Sequence, residues 1–118
     1  MYAQNTTHAA FPYYGSSQDK MYQAILRTCK TLHKHYPRFT IIPTGIAIQN
    51  ARTRLGDVMN RDGFHLNYVY GRYTAACTWG QTITKRDIRT NTYRPDGITD
   101  EQYEVCRWAA SRAVKKQR

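Results

Sequence analysis

The sequence predicts an α/β protein that is mostly helical and contains one or a few parallel strands. Residues 19–36 carry apolar side chains at helical spacing, which predicts a long amphipathic helix. Residues 38–43, with the sequence RFTIIP, are β-branched and aromatic and are bounded by prolines, which predicts a short buried strand. A helix followed directly by a strand is the alternation typical of α/β layer proteins.

The 118-residue chain is expected to form a single domain over residues 1–118, with a modest core. Residues 1–18 are polar and aromatic and contain a proline and a glycine, so we expect an irregular N-terminal segment there. We interpret His8, within that segment, as an ordinary surface histidine. The sequence contains neither an apolar run long enough to predict a membrane span nor the pattern of a secretory signal, and it leaves the localisation of a longer parent protein open.

The first helix, residues 19–36, is expected to be capped by Ser17 or Asp19 and ended by Pro37. Its apolar stripe, which is expected to have a structural role, consists of Met21, Ala24, Ile25, Cys29, Leu32 and Tyr36. Thr44 and Gly45 are expected to form a turn after the strand. Residues 46–54 then predict a short helix, in which polar side chains such as Asn50 are expected to face solvent.

Two further helices are predicted in the second half of the chain. Residues 67–84 combine small and aromatic residues on one face, namely Val69, Tyr73, Ala76, Cys77 and Gly80. Residues 85–98 are a polar connection. Thr99 and Gln102 form a capping-box pattern, which predicts a last helix over about residues 100–115. Its docking face is expected to comprise Val105, Cys106, Ala109, Ala110 and Ala113.

The formal net charge of +10 has two interpretations. The first is binding of nucleic acid or another anionic partner by phosphate neutralisation. The second, which we favour, is solubility and complementarity to helix C-termini, because the charges are spread along the chain and no nucleic-acid motif accompanies them. The three cysteines, Cys29, Cys77 and Cys106, are predicted to be buried free thiols, and no metal or other cofactor is predicted.

The candidate site lies at residues 60–66, with the sequence NRDGFHL. Gly63 favours a loop, on which Asp62 and His65 can be turned toward a common partner. In such a pair, His65 is the candidate general base and Asp62 the carboxylate that orients it. Asp57 is a rival for that carboxylate role, and a capping aspartate beside an incidental histidine is the non-functional alternative.

The stretch IIPTGIAIQNARTRLGDVMNRDGFHLNYVYGRYTAACTW resembles the C-terminal block of a bacterial SGNH-like hydrolase family related to the GDSL esterases and lipases. The opening AQNTTHAAFPYYGSSQDKMYQAI resembles the segment just upstream in the same family. The resemblance implies a partial three-layer α/β/α hydrolase domain of flavodoxin-like fold. It also implies that His65 and Asp62 belong to a Ser-His-Asp triad that acts on esters, including acylated carbohydrates.

The nucleophile half of such a triad is missing from the sequence. No Gly-Asp-Ser follows a predicted strand, and the serines are Ser16, Ser17 and Ser111. The resemblance therefore implies the C-terminal part of a serine esterase, whose nucleophile and oxyanion donors lie elsewhere. A strand at residues 38–43 with few neighbours would also leave a sheet edge open for self-association.

Two other classes of function are kept as alternatives. A non-catalytic basic module would bind nucleic acid or another anion and would lose affinity steeply with salt. Its candidate residues are Arg52, Arg54, Arg61, Arg72, Lys85, Arg86 and Arg89. An assembly piece would form concentration-dependent oligomers. Neither a nucleic acid nor a membrane is the partner we expect.

Overall fold

The computed structural model describes residues 17–117, whose regular secondary structure is helical. They comprise α1 (Gln18–His35), α2 (Thr44–Leu55), α3 (Tyr70–Thr84), a short 3-10 helix (Ile88–Thr90) and α4 (Asp100–Lys116). No strand occurs among them, and the pairing of Asn60 with Leu66 is an isolated antiparallel bridge. The predicted α/β class, with its three-layer flavodoxin-like sheet, is therefore wrong.

The segment predicted as a strand, residues 38–43, is an irregular connection. After Pro37 the chain turns, and the Phe39 N–H donates to the Tyr36 carbonyl at 3.0 Å. The Pro43 carbonyl then accepts the first backbone hydrogen bond of α2, from Ala47 N–H at 3.0 Å. β-branched residues favour a strand only where a neighbouring strand offers backbone partners, and the described residues offer none to this segment. The sheet edge on which self-association was predicted is absent from residues 17–117 as well.

The chain divides into two compact units, and the prediction of a single domain over residues 1–118 stays a prediction. Within the described residues, the first unit comprises residues 17–41 and 62–65. The second unit comprises residues 42–61 and 66–117. Residues 1–16, with His8, Ser16 and most of the segment predicted to be irregular, lie outside the described residues.

In the first unit, α1 confirms the helix predicted over residues 19–36 to within one residue at each end. The Ser17 Oγ accepts a hydrogen bond from Lys20 N–H at 3.4 Å, so Ser17 is the cap. Of the predicted apolar stripe, Met21 is the residue that is buried, whereas Leu32 and Tyr36 are half exposed. The apolar stripe of this helix is therefore buried only in part.

In the second unit, α4 packs against both α2 and α3, which also contact each other. The predicted docking face of α4, from Val105 to Ala113, is confirmed as buried. The capping box is confirmed too, because the Thr99 Oγ1 accepts from Gln102 N–H and the Gln102 Oε1 accepts from Thr99 N–H. Asn50, expected to face solvent, instead donates to the Ala109 carbonyl at 3.2 Å and ties α2 to α4.

The α3 helix begins at Tyr70 rather than at residue 67, because the Asn67 Oδ1 accepts hydrogen bonds from the Val69 and Tyr70 N–H groups. Of its predicted packing face, Tyr73 and Cys77 are buried, while Ala76 is exposed. Buried threonines also line α3, and each bonds to the carbonyl one turn earlier. These are Thr74, Thr78 and Thr82.

The cysteines are free thiols, as predicted. Cys77 and Cys106 are buried, and Cys29 is half-buried. Burial raises the pKa of Cys77 and that of Cys106 to about 11 each, so both are neutral thiols at pH 7 and poor nucleophiles. No helix of residues 17–117 is both long and apolar enough to cross a membrane.

Candidate active site

The segment around Asp62 and His65 is a loop, as its glycine predicted. Residues 61–65 adopt bends, and Gly63 has a φ of 81°, a left-handed conformation that glycine adopts without strain. The loop is closed at its ends by the bridge between Asn60 and Leu66. A residue with a Cβ at position 63 would strain this conformation, so the glycine is needed for the loop to bring Asp62 and His65 together.

Asp62 is anchored by the backbone of its own loop. Its Oδ1 accepts hydrogen bonds from the Phe64 N–H at 2.9 Å and from the His65 N–H at 2.6 Å. This is the local side-chain-to-backbone bonding that aspartate forms in turns. With Oδ1 held in this way, the second carboxylate oxygen, Oδ2, has a defined direction.

That second oxygen faces the imidazole ring. The Asp62 Oδ2 lies 2.7 Å from the His65 Nδ1, a short hydrogen bond between a carboxylate and a ring nitrogen. The Phe64 ring packs edge-on against the imidazole, with the ring centroids 4.8 Å apart. The imidazole thus contacts a carboxylate on its Nδ1 side and the phenyl ring of Phe64, and both contacts restrict its orientation.

The hydrogen bonds to Asp62 hold its charge in place. The His65 backbone N–H contributes most, the His65 side chain comes second, and together they keep the pKa of the Asp62 carboxyl well below its usual value of 3.8. Asp62 is therefore a carboxylate throughout the neutral range. An ionised partner at Nδ1 favours the tautomer with the proton on Nδ1, which leaves the lone pair of Nε2 as the proton acceptor.

Both side chains remain open to solvent, with 55% of the His65 side chain and 46% of the Asp62 side chain exposed. A substrate can therefore approach the imidazole. Asp57, the rival carboxylate in the sequence, forms an ion pair with the Arg52 Nε at 3.4 Å. The pairing of His65 with Asp62 is thus a structural fact, whereas the catalytic role of the two residues stays a prediction.

Most of the basic residues proposed for a non-catalytic binding module make local contacts, and binding by them stays a prediction. Most of them already have a local partner: Arg52 pairs with Asp57, Arg54 lies over Trp108, Arg61 and Arg72 lie over Tyr68, and Arg89 pairs with Asp87. Such cation–π and ion-pair contacts give many of these positively charged side chains a role in local structure.

One group of residues with potential for binding was missed in the sequence. Trp108, Ser111, Arg112 and Lys115 line an open groove on α4, together with Arg89 and Lys116. Their spacing of three and four residues places them on one helix face, and this spacing could have singled them out. No group of His, Cys, Asp and Glu side chains suited to a metal ion occurs within residues 17–117.

Residues 17–117 thus form a set of helices, and the loop that contains Gly63 carries the hydrogen-bonded pair of Asp62 and His65. The chain belongs to the DUF4886 family, described as a domain of unknown function, whose family model matches residues 1–113. It is also similar to a DUF4886 family protein from Bacteroides uniformis ATCC 8492, known from a crystal structure at 1.50 Å resolution. The identity is 44% and the TM-score 0.91.

The match covers 98% of this chain and 45% of that protein, so the chain spans less than half the length of its structural relative. No curated protein matches the sequence. The resemblance to an SGNH-like, GDSL-related esterase family is therefore wrong as an identification, because the family matched is DUF4886 and the described residues lack the parallel sheet. What remains for function is the geometry of the site.

Proposed function

We propose that this chain supplies the general-base half of an ester hydrolase, with His65 as the base and Asp62 as the residue that orients it. The single observation that carries the proposal is the contact of 2.7 Å between Asp62 Oδ2 and His65 Nδ1, made by a carboxylate whose other oxygen is held by two backbone N–H groups.

The proposed chemistry uses the nitrogen on the far side of the ring from Asp62. A serine hydroxyl transfers its proton to His65 Nε2 while its oxygen bonds to the carbonyl carbon of the ester. The resulting imidazolium is stabilised by the Asp62 carboxylate. It returns the proton to the departing alkoxide, which leaves as an alcohol, and water then releases the acyl group by the same two proton transfers.

The nucleophile in this proposal is a serine outside residues 1–118, in the remainder of a longer protein. The described residues include two serines. Ser17 caps α1, and Ser111 is buried in α4. The thiols of Cys77 and Cys106 are neutral at pH 7 because burial raises the pKa of each. The structural relative extends well beyond the region that this chain matches, which leaves room for a nucleophile-bearing segment.

A fluorophosphonate probe tests this proposal on the full-length protein. Its phosphorus is attacked by a serine oxygen and fluoride leaves, so that one serine becomes covalently labelled when a base activates it. We expect a single labelled serine, found by peptide mass spectrometry, and loss of the labelling in His65→Gln. A folded full-length protein that takes up no label, or that labels equally well without His65, would overturn the proposal.

A further inference from the structure

The groove on α4 combines cationic, aromatic and hydroxyl groups in a small space. It has a volume of about 320 Å³ and is lined by Arg89, Trp108, Ser111, Arg112, Lys115 and Lys116. This size is at the lower end of the range for small-molecule sites. Four cations surround one open space, so the local potential favours an anion of small-molecule size over a neutral solute.

The cations of the groove are only partly neutralised. Asp87 holds Arg89 through three hydrogen bonds of 2.6 to 3.1 Å, and its Oδ2 lies 3.8 Å from the Lys115 Nζ. Within the described chain, Asp87 is the carboxylate that forms ion pairs with the lining residues. The formal charge of the lining together with Asp87 is therefore strongly positive, while the Asp87 contacts hold the Arg89 guanidinium in a set orientation.

Long-range contacts hold the groove in shape. The Arg107 Nη1 donates to the carbonyls of Arg89 and Asn91, at 3.0 and 3.2 Å, and so ties the 3-10 helix to α4. The Arg54 guanidinium lies 3.5 Å from the centre of the Trp108 ring and supports the indole. The walls of the groove are thus organised before anything binds, which lowers the entropic cost of binding.

A buried hydroxyl without a partner provides an independent indication of a bound group. Ser111 is only 2% exposed and lines the groove, yet its Oγ has no hydrogen-bond partner among the described residues. A buried hydroxyl that lacks a partner destabilises the fold. A group that enters the groove and accepts a hydrogen bond would satisfy the Ser111 hydroxyl. Because four cations lie close by, an anionic oxygen is the acceptor that the groove favours.

We infer that this groove binds a small molecule carrying a phosphate monoester. The phosphate oxygens accept hydrogen bonds from the Ser111 hydroxyl and the Arg112 guanidinium, while Arg89, Lys115 and Lys116 neutralise its charge. The Trp108 indole provides a flat wall for the rest of the molecule, such as a sugar ring. The inference rests on the groove and does not depend on the proposed role of His65.

Binding is tested by titrating the full chain with inorganic phosphate, ribose 5-phosphate and ribose at constant ionic strength. The NMR signal of the Trp108 indole N–H is followed, and Trp79 serves as the internal reference. We expect saturable shifts of the Trp108 signal with both phosphates and none with ribose. Ribose 5-phosphate should bind more tightly than inorganic phosphate because of its contact with the indole.

Two variants and a matched control identify the groups involved. Ser111→Ala and Arg112→Gln should each weaken ribose 5-phosphate binding roughly tenfold, since each removes a hydrogen bond to a charged group. Arg112 is exposed, so its substitution tests the site even if the buried Ser111 change alters folding. Lys30→Gln on α1 makes the same change in charge outside the groove and should leave the affinity unchanged.

Three results would overturn the inference. The first is an absence of saturation with either phosphate. The second is equal weakening by Lys30→Gln and Arg112→Gln, which would indicate diffuse attraction to the net positive charge. The third is preferential binding of a DNA oligonucleotide that is insensitive to Ser111→Ala, which would make the groove part of a nucleic-acid surface.

Discussion

The full-length protein carrying His65→Gln is expected to lose nearly all turnover of p-nitrophenyl acetate, with kcat lowered roughly 10³- to 10⁴-fold, the scale seen when a triad member is removed. The loss follows because His65 is the proposed acceptor of the proton of the nucleophile. The histidine side chain is 55% exposed, so its removal should leave the melting temperature unchanged. Steady-state kinetics and thermal unfolding of the same samples provide the two readings.

The carboxylates at positions 62 and 57 form a matched pair for the same experiment. Asp62→Asn keeps a carbonyl oxygen for the two backbone N–H groups but loses the charge beside the ring, so we expect a loss of roughly 10⁴-fold, as for a triad aspartate. Asp57→Asn removes the ion pair with Arg52 and should leave kcat unaffected. Full turnover by a folded His65→Gln variant would refute the catalytic role of this loop.

Gly71→Ala is expected to destabilise the protein by about 2 kcal/mol, the scale of overpacking in a filled interior. A Cβ at position 71 would lie 2.6 Å from the Met59 carbonyl oxygen and 3.2 Å from the Asn67 Cβ. Because the closest atom belongs to the backbone, it cannot swing away as a side chain can. Met59 is fully buried, so the segment that carries it has little freedom to retreat.

Gly80→Ala, in the same helix, is the control for this prediction. The nearest atom to a Cβ at position 80 is the Ile88 Cδ1 at 3.4 Å, an ordinary contact with a movable methyl group. Alanine is the better helix former by up to about 1 kcal/mol, so this variant should match or exceed the wild-type stability. Denaturant unfolding of both variants provides the comparison. Equal midpoints would show that α3 does not approach Met59 so closely.

The helices were predictable because their signals are local. The Thr99–Gln102 capping box and the alanine-rich face of α4 lie within one continuous segment, and the structure reproduces both. The helix predicted over residues 19–36 was found for the same reason, since Ser17 and Pro37 delimit it. Burial of its apolar stripe was not predictable, because burial depends on what the rest of the protein packs against each helix.

The prediction of a strand at residues 38–43 was wrong because it was based on the residue types of the segment alone. Ile41 and Ile42 favour extended backbone, but a strand also requires neighbours whose backbone groups can pair with it. Among residues 17–117 no such neighbour exists, and Pro43 leads directly into α2. The predicted α/β fold class is wrong for the same reason.

The candidate site was half predictable. The glycine at position 63 indicated a loop, and the spacing of Asp62 and His65 suggested a pair. The choice between Asp62 and Asp57 required the backbone N–H groups that hold the Asp62 carboxylate, and a sequence does not display these. The α4 groove was not predictable for a similar reason. Arg89 is held beside α4 by a hydrogen bond from Arg107, which lies 18 positions away in the sequence.

In the proposed site, Asp62 holds the His65 ring with its Nδ1 protonated and its Nε2 ready to accept a proton. A long-range ¹H–¹⁵N NMR spectrum of the imidazole, recorded at alkaline pH with the ring neutral, tests this directly. We expect a protonated Nδ1 and an unprotonated Nε2 in the wild type, with a shift toward the Nε2–H tautomer in Asp62→Asn. A wild-type His65 with the proton on Nε2, unchanged by the loss of the Asp62 charge, would contradict it.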